Sequence, residues 1–343
     1  MKKKIAVLWP YLYQDFEESG TNWGPRLVWI IKALKQNGYE VQQHPNFVQK
    51  FPGTVPYKDS WECDLVIYNH AEKSEIIGEG IINAKKTWFF KPTVPDNKQT
   101  TLDELGYGSY SSPTYNKPEF EVYSQEEVDH FFNTKVKKWK NTNECKFGKN
   151  YFPKSDTPRE DTDYVLILGQ TSGDTVVERQ DWGSYNNKLI MVIRELNSQT
   201  KDKIVVKLHP YTNGVGYDSE KDFNYIEDLT KIIKEISPEI EVISDNTSIH
   251  SLLPNAKYIM TANSGAGLEA MMYHKPIISF GFPEYHWITY DLRKVCDIHR
   301  AIKTDEWFDK ELSDKYLYWY MTKYCIYNQA STNNRVKELL ENE

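Results

Sequence analysis

Cysteine is scarce in this 343-residue chain, and the four cysteines that occur lie far apart. No two of them form a C-x-x-C pair, so the sequence indicates neither a zinc site nor a disulfide framework. Cationic residues are also in the minority, since the chain has 42 Lys and Arg against 49 Asp and Glu, which gives a net charge of −7. A nucleic-acid-binding surface needs clustered cations, so nucleic acid is excluded as the main partner.

Long apolar runs are missing as well. After Met-Lys-Lys-Lys only about five apolar residues precede Pro10, too few for the core of a signal peptide. No window approaches the ~20 apolar residues of a membrane-spanning helix. We therefore expect a cytoplasmic protein, whose contact with the inner face of a membrane would be peripheral.

Two ligand motifs are absent. The loop 10–25 after the first predicted strand has no G-x-G-x-x-G, so dinucleotide binding is not indicated. No Asp-x-Asp occurs among the candidate site residues given below. The sequence therefore calls for no metal and no cofactor.

Hydrophobic residues make up 39% of the chain, enough for packed cores. Short apolar strands alternate with helices, which indicates parallel sheets covered by helices on both faces. In the first half we predict a helix over 26–37 and strands over 4–9, 40–43, 63–68 and 86–90. In the second half we predict helices over 185–198 and 220–236 and strands over 163–168, 203–208, 239–243, 257–261 and 276–280.

A polar segment with two prolines, 141–162, is predicted to be the linker between two domains. The first Rossmann-like domain is predicted over 1–150 and the second over 163–304. The tail 305–343, rich in Tyr and Trp, is predicted to be helical and to pack across the junction. Within the first domain, the long aperiodic segment 91–123 is predicted to be a functional loop.

Three turns of the second domain follow predicted strands, at 169–174, 209–210 and 263–269. The carboxyl ends of parallel strands share one edge, so these turns should meet in one crevice. Ser264 and Gly265 precede a helix predicted over 268–273, and backbone N–H groups without bulky neighbours can approach a phosphate closely. Glu269 could then reach a sugar hydroxyl, unless it is an ordinary first-turn carboxylate.

The other polar residues of these turns each have two readings. His209 could donate to a phosphate, with Pro210 fixing the backbone after the strand, or it could be a structural histidine. Asp174 could act as base or nucleophile, or cap a turn. In the first domain, Asp103 and Glu104 could face a polar acceptor or be surface residues.

Several motifs resemble one family. They are K-L-H-P at 207–210 and L-L-P-N-A-K-Y-I-M-T-A-N-S-G-A-G-L-E-A-M-M-Y-H-K-P-I-I-S-F-G-F-P-E-Y-H-W at 252–287. They resemble the capsule polysaccharide biosynthesis family of bacterial β-Kdo transferases, which are GT-B glycosyltransferases. G-Q-T-S-G-D-T-V-V at 169–177 is similar to the family's Gln-x-x-x-Asp element, and L-D-E-L-G-Y-G-S-Y-S-S at 102–112 is similar to its Gly-rich acceptor-side loop.

The resemblance implies an α/β, GT-B-like fold of two Rossmann-like domains with a C-terminal helix crossing the junction. It implies an acceptor-side first domain, a nucleotide-sugar-binding second domain, and an acceptor glycan or glycolipid between them. The activity implied is retaining transfer of a 3-deoxy-ulosonic acid such as Kdo from a CMP-linked donor, in surface polysaccharide synthesis.

The resemblance also assigns roles to residues. Ser264, Gly265 and His209 would hold the donor phosphate, with Gln170 and Pro210 beside them. Glu269 would bind the ribose. The catalytic carboxylate would be Asp174, and the acid/base would be Asp103 or Glu104.

The chain departs from the family at one place. The family's Gly-Phe-x-Arg-Ser segment corresponds to F-F-K-P-T-V-P-D at 89–96, which has no arginine, so the acceptor and the sugar stay open. Three alternatives share parts of the pattern. They are a CDP-polyol phosphotransferase of the teichoic-acid type, a UDP-sugar epimerase, and a non-catalytic glycan- or nucleotide-binding protein.

Overall fold

A computed structural model describes residues 4–9, 24–43, 61–69, 82–96, 98–145, 152, 159–172, 175–178, 180, 184–209 and 225–341. The chain divides into two compact units. Unit 1 comprises residues 1–116 and 318–343, and unit 2 comprises residues 117–317.

The described residues of unit 1 form a six-stranded sheet and three α-helices. Its strands are β1 (Lys4–Trp9), β2 (Tyr39–Gln43), β3 (Trp61–Asn69), β4 (Ile82–Pro92), β5 (Thr100–Asp103) and β12 (Cys325–Ile326), in the order β12-β5-β4-β3-β1-β2. Its helices are Gly24–Gln36, Ser112–Tyr115 and Gln329–Glu341. The pairs from β2 to β4 are parallel, whereas β5 pairs antiparallel with β4 and with β12.

Both faces of this sheet are packed. Leu27, Ile30 and Leu34 recur at helical spacing and join β-strand residues in one buried cluster. That cluster takes Leu65 and Ile67 from β3, whereas Val66 and Tyr68 belong to a second cluster. Because successive strand residues point to opposite faces, β3 is buried on both sides, as its continuous apolar run predicts.

Unit 2 contains a second six-stranded sheet, and all its pairs are parallel. Its strands are β6 (Tyr164–Leu168), β7 (Ile204–Lys207), β8 (Glu241–Ile243), β9 (Ala256–Thr261), β10 (Ile277–Ser279) and β11 (Tyr290–Asp291), in the order β11-β10-β9-β6-β7-β8. Its α-helices are Gln125–Phe131, Lys137–Thr142, Thr175–Glu178, Tyr185–Gln199, Tyr225–Ile236, Ala266–Met271, Ile298–Lys303 and Lys310–Trp319.

The strand order of unit 2 contains a switch point. From β6 the chain adds β7 and β8 on one side, then returns to add β9, β10 and β11 on the other. In open α/β sheets the loops diverge at such a point, and ligands bind there beside the carboxyl ends of the strands. The turns after β6 and β9 therefore flank the expected crevice.

These two sheets with their helices confirm the α/β fold of two Rossmann-like units. The helix that begins at Gln125 continues to Thr142 through a π-helical turn over Phe132–Val136. It belongs to unit 2, because Phe132 stacks on His274 and the Lys140 ammonium donates to the carbonyl of Met272. The units thus divide after residues 116 and 317, whereas the prediction divides the chain within 141–162.

Two short strands differ from the sequence-based prediction. β5 lies in the segment predicted to be a loop, and β12 lies in the tail predicted to be helical. Both strands are short. β5 forms because it pairs with the backbone of β4, and β12 forms because it pairs with β5. Local sequence does not reveal these pairing partners. The division after residue 317 falls inside the helix Lys310–Trp319, so residues 318–343 return to unit 1.

Candidate functional site

The turns after β6 and β9 are joined by two amide side chains. Gln170 donates through Nε2 to Asn263 Oδ1 at 2.8 Å, and its Oε1 accepts from the Asn263 backbone N–H at 2.9 Å. Asn263 also donates through Nδ2 to the carbonyl of Val176 at 2.7 Å. Both amides are more than nine-tenths buried. This pairing fixes the two turns across the switch point.

The turn after β6 also contacts the end of β7. Thr171 Oγ1 lies 3.3 Å from His209 Nδ1, and His209 is partly exposed. Lys207, two residues before it, is buried, and its ammonium donates to the carbonyls of Leu208 and Asp245 at 3.0 and 2.7 Å. Burial lowers the pKa of Lys207 to about 8, so it stays mostly charged at pH 7. The last residue of β7 is thus a buried cation, and the histidine follows it two positions later.

The turn after β9 presents two backbone N–H groups. Ala266 N–H donates to Ser264 Oγ at 3.2 Å, and the N–H groups of Gly267 and Leu268 donate to the carbonyls of Ser264 and Gly265 at 3.0 Å. The N–H groups of Ser264 and Gly265 themselves have no acceptor within the described ranges. The helix that follows has only six residues, Ala266–Met271, so these N–H groups, rather than a helix dipole, are suited to an anion.

Gly267 contacts the last residue of the motif F-G-F-P-E-Y at 280–285, which is Tyr285. A Cβ added at Gly267 would lie 2.2 Å from the hydroxyl oxygen of Tyr285, so only glycine lets this ring pack there. The Tyr285 hydroxyl donates to the carbonyl of Ser264. Burial raises the pKa of Tyr285 well above its usual value, so the hydroxyl remains a donor. The segment that contains Tyr285 and the turn that contains Ser264 are therefore packed together, and Tyr285 holds the turn through its hydrogen bond to the Ser264 carbonyl.

Glu269 lies in a buried group on another side of the same helix. Its Oε1 is 4.0 Å from His250 Nε2, and His250 Nδ1 lies 2.9 Å from the hydroxyl of Tyr273. Burial and the nearby Glu269 carboxylate raise the pKa of Tyr273. Glu269 is thus a buried carboxylate in the first turn of the helix, and it lies beside His250.

The structure brings together four of the predicted site residues, since Gln170, His209, Ser264 and Gly265 belong to three turns tied to one another by side-chain bonds. Asp174 and Pro210 lie outside the described residues. Four further residues hold these turns in place and are not singled out in the sequence, namely Asn263, Thr171, Lys207 and Tyr285. In the sequence these residues stand next to or within the motifs, but a local pattern does not show which residues they contact.

Asp103 lies in unit 1 and is fully buried. Its Oδ1 accepts from the N–H groups of Leu105 and Ser112 at 2.8 and 3.0 Å, and its Oδ2 accepts from the hydroxyl of Tyr324 at 2.8 Å. The Arg335 guanidinium is 3.8 Å away. An acid/base catalyst must be open to the acceptor, so this arrangement favours a structural role for Asp103. Glu104 is exposed and remains a candidate for the acid/base.

Within the described ranges, no group of three or more His, Cys, Asp or Glu residues is placed to hold a metal ion. None of the helices in that part of the chain is long and apolar enough to cross a membrane.

The fold and the crevice define a class, the two-unit α/β proteins of the GT-B type. A family model described as capsule polysaccharide biosynthesis protein matches residues 118–328, more than half of the chain. The chain therefore belongs to the capsule polysaccharide biosynthesis protein family. No curated protein matches it significantly.

Two solved structures of KpsC from Thermosulfurimonas dismutans are similar over almost their full length. The β-Kdo 2,4 transferase is 15% identical, with a TM-score of 0.57 over 99% of this chain and 98% of that chain. The β-Kdo 2,7 transferase is 13% identical, with a TM-score of 0.52 over 99% of this chain and 100% of that chain. At these identities the likeness shows a shared fold.

Proposed function

We propose that this protein is a glycosyltransferase of surface polysaccharide synthesis. It would transfer a 3-deoxy-ulosonic acid such as Kdo from a CMP-linked donor to a glycan or glycolipid acceptor. The observation that carries the proposal is the junction of three turns at the switch point of unit 2, made by the Gln170–Asn263 and Thr171–His209 contacts. Membership of the capsule polysaccharide biosynthesis family supports the reaction class.

The donor phosphate would bind at the turn after β9. Its oxygens would accept from the N–H groups of Ser264 and Gly265, with His209 as a further donor, Gln170 and Pro210 beside it and Lys207 as nearby positive charge. Glu269 would accept from a ribose hydroxyl. As the bond to the sugar breaks, negative charge grows on the phosphate, so these contacts strengthen in the transition state. Neither metal nor cofactor is needed for that role.

By analogy with retaining glycosidases, transfer with retention would proceed by two displacements, unless Asp174 only stabilises the positive charge that develops on the anomeric carbon. In the first, an Asp174 carboxylate oxygen bonds to the anomeric carbon, and CMP leaves with the electron pair of the broken bond. In the second, an acceptor hydroxyl oxygen attacks the same carbon, Asp174 is released, and the hydroxyl proton passes to a base. Glu104 or another exposed carboxylate would be that base, in a cytoplasmic enzyme at most peripherally bound to membrane.

A thermal-shift panel tests the donor class. We expect CMP to raise the melting temperature more than CDP, UDP, GDP or UMP, with and without magnesium. A ligand at ~100 times its dissociation constant stabilises the folded state by about 2.7 kcal/mol, or at least about a degree here. His209→Ala should reduce the shift. Preference for CDP would favour a polyol phosphotransferase, preference for UDP an epimerase, and no response would contradict the site.

Tyr285→Phe tests the turn that would hold the phosphate. The ring stays over Gly267, but the hydrogen bond to the Ser264 carbonyl is lost, so we expect a loss of about 1 kcal/mol in stability and weaker CMP binding. Tyr164→Phe is the matched control, since the buried Tyr164 hydroxyl donates to the Leu252 carbonyl and neither residue belongs to the Ser264 turn or to the segment of Tyr285. It should lose similar stability and keep CMP affinity. Equal CMP affinity in both variants would contradict the turn's role.

A further inference from the structure

Three aromatic side chains form a row after β10. The ring centroids of Phe282 and His286 are 4.4 Å apart at 30°, and those of His286 and Trp287 are 4.2 Å apart at 38°. We call Phe282, His286 and Trp287 the aromatic row. Phe282 is 38% exposed, one of four large hydrophobic side chains described as exposed. A large ring open to solvent beside a ligand crevice is suited to cover an apolar part of the ligand.

The row is held close to the phosphate-binding turn. Tyr285 lies within its segment and contacts both Gly267 and the Ser264 carbonyl. The Phe282 backbone N–H donates to Gln180 Oε1 at 3.2 Å, which ties the segment to the stretch that follows β6. β10 is also the neighbour of β9 in the sheet. The row therefore belongs to the same carboxyl edge as Ser264.

The middle ring of the row offers an acceptor. His286 Nδ1 lies 3.0 Å from the carbonyl of Pro283, and because a carbonyl can only accept, Nδ1 carries the hydrogen. Burial lowers the pKa of His286, so the ring is neutral near pH 7 and Nε2 keeps its lone pair. The rings of Phe282 and Trp287 offer aromatic faces, and His286 Nε2 offers a hydrogen-bond acceptor. This combination suits a sugar ring, which has both C–H groups and hydroxyls.

The helix Ala266–Met271 separates two sides of the site. Gly267 and Glu269 are two residues apart, about 200° around a helix, so they face opposite ways. Glu269 faces His250, and Gly267 faces Tyr285, which lies in the same segment as the aromatic row. If Glu269 binds the ribose, the nucleoside lies on the His250 side. The other substituent of the phosphate, the sugar, then extends to the opposite side.

We propose that the aromatic row of Phe282, His286 and Trp287 is the platform for the transferred sugar of the donor. The C–H groups of one pyranose face, including the C3 methylene of a 3-deoxy sugar, pack against the rings, whose faces carry partial negative charge. A sugar hydroxyl donates to His286 Nε2. This inference rests on the proposed function, because it takes the phosphate and ribose positions from it.

The test compares CMP with CMP-Kdo by isothermal titration without acceptor. Phe282→Ala should raise the dissociation constant of CMP-Kdo about tenfold and leave that of CMP unchanged. Phe282→Leu should lie between, since it keeps apolar contact and loses the ring. Met191→Ala is the matched control, a 55% exposed apolar side chain on the helix Tyr185–Gln199 of the same unit. It should change neither constant.

Three results would overturn the inference. Unchanged binding of CMP-Kdo to Phe282→Ala would show that the row does not contact the sugar. Equal weakening of CMP and CMP-Kdo would place the row against the nucleoside. If the wild-type protein binds neither ligand, the proposed function itself fails, and this third result is distinct from the first two because those require CMP binding by the wild type.

Discussion

Asp174→Asn is expected to abolish donor turnover while CMP affinity stays within a few-fold of the wild-type value. The amide keeps the size of the side chain but cannot form the bond to the anomeric carbon. Loss of a nucleophile of this kind lowers the rate by about 10³-fold or more. The measurement is the rate of CMP release from CMP-Kdo, together with the dissociation constant of CMP.

Ser172→Ala is the control for Asp174→Asn, because it changes the same turn and retains the carboxylate. It should release CMP at close to the wild-type rate. If Asp174→Asn loses CMP binding as well as turnover, the residue shapes the turn and is not the nucleophile. If turnover survives in Asp174→Asn, another group carries out the displacement.

Asp103→Asn should destabilise the protein strongly. An amide at this buried position would place an N–H₂ group against donors, either the N–H groups of Leu105 and Ser112 or the hydroxyl of Tyr324. It would also remove the negative charge beside the buried Arg335. We expect a loss of about 3 kcal/mol, which lowers the melting temperature of a chain of this size by about 4 °C.

Glu104→Gln is the partner experiment. This side chain is exposed, so its melting temperature should match the wild-type value. If Glu104 is the acid/base, transfer to acceptor falls in this variant although the fold is intact. A fully stable Asp103→Asn protein that has lost transfer would instead return the acid/base role to Asp103.

The strands of unit 2 could be predicted closely from the sequence. β6 and β9 are runs of apolar residues that are almost wholly buried, and such runs occur where a parallel strand is covered on both faces. Their ends are marked by Gly169 and by Asn263 to Gly265, so the position of the turns was predictable too. The parallel arrangement then brings these turns to one edge.

The pairing partners could not be predicted in the same way. β5 and β12 have four and two residues, too short for a periodic signal, and β12 pairs with a strand more than 200 positions earlier. The unit boundaries depend on similar long-range contacts. The helix that ends at Thr142 looks like part of the first domain until Phe132 is seen to stack on His274.

Sequence alone predicts Ser264, Gly265 and His209 as candidates to bind an anion, because they follow strands whose carboxyl ends share an edge. Only the tertiary structure decided how they are held and which carboxylates are closed off. Tyr285 holds the Ser264 turn from 21 residues away, and Tyr324 reaches Asp103 from 221 residues away. The physical reason is that the local pattern of apolar and polar residues indicates burial and turns, whereas hydrogen-bond partners that are distant in the chain depend on tertiary packing.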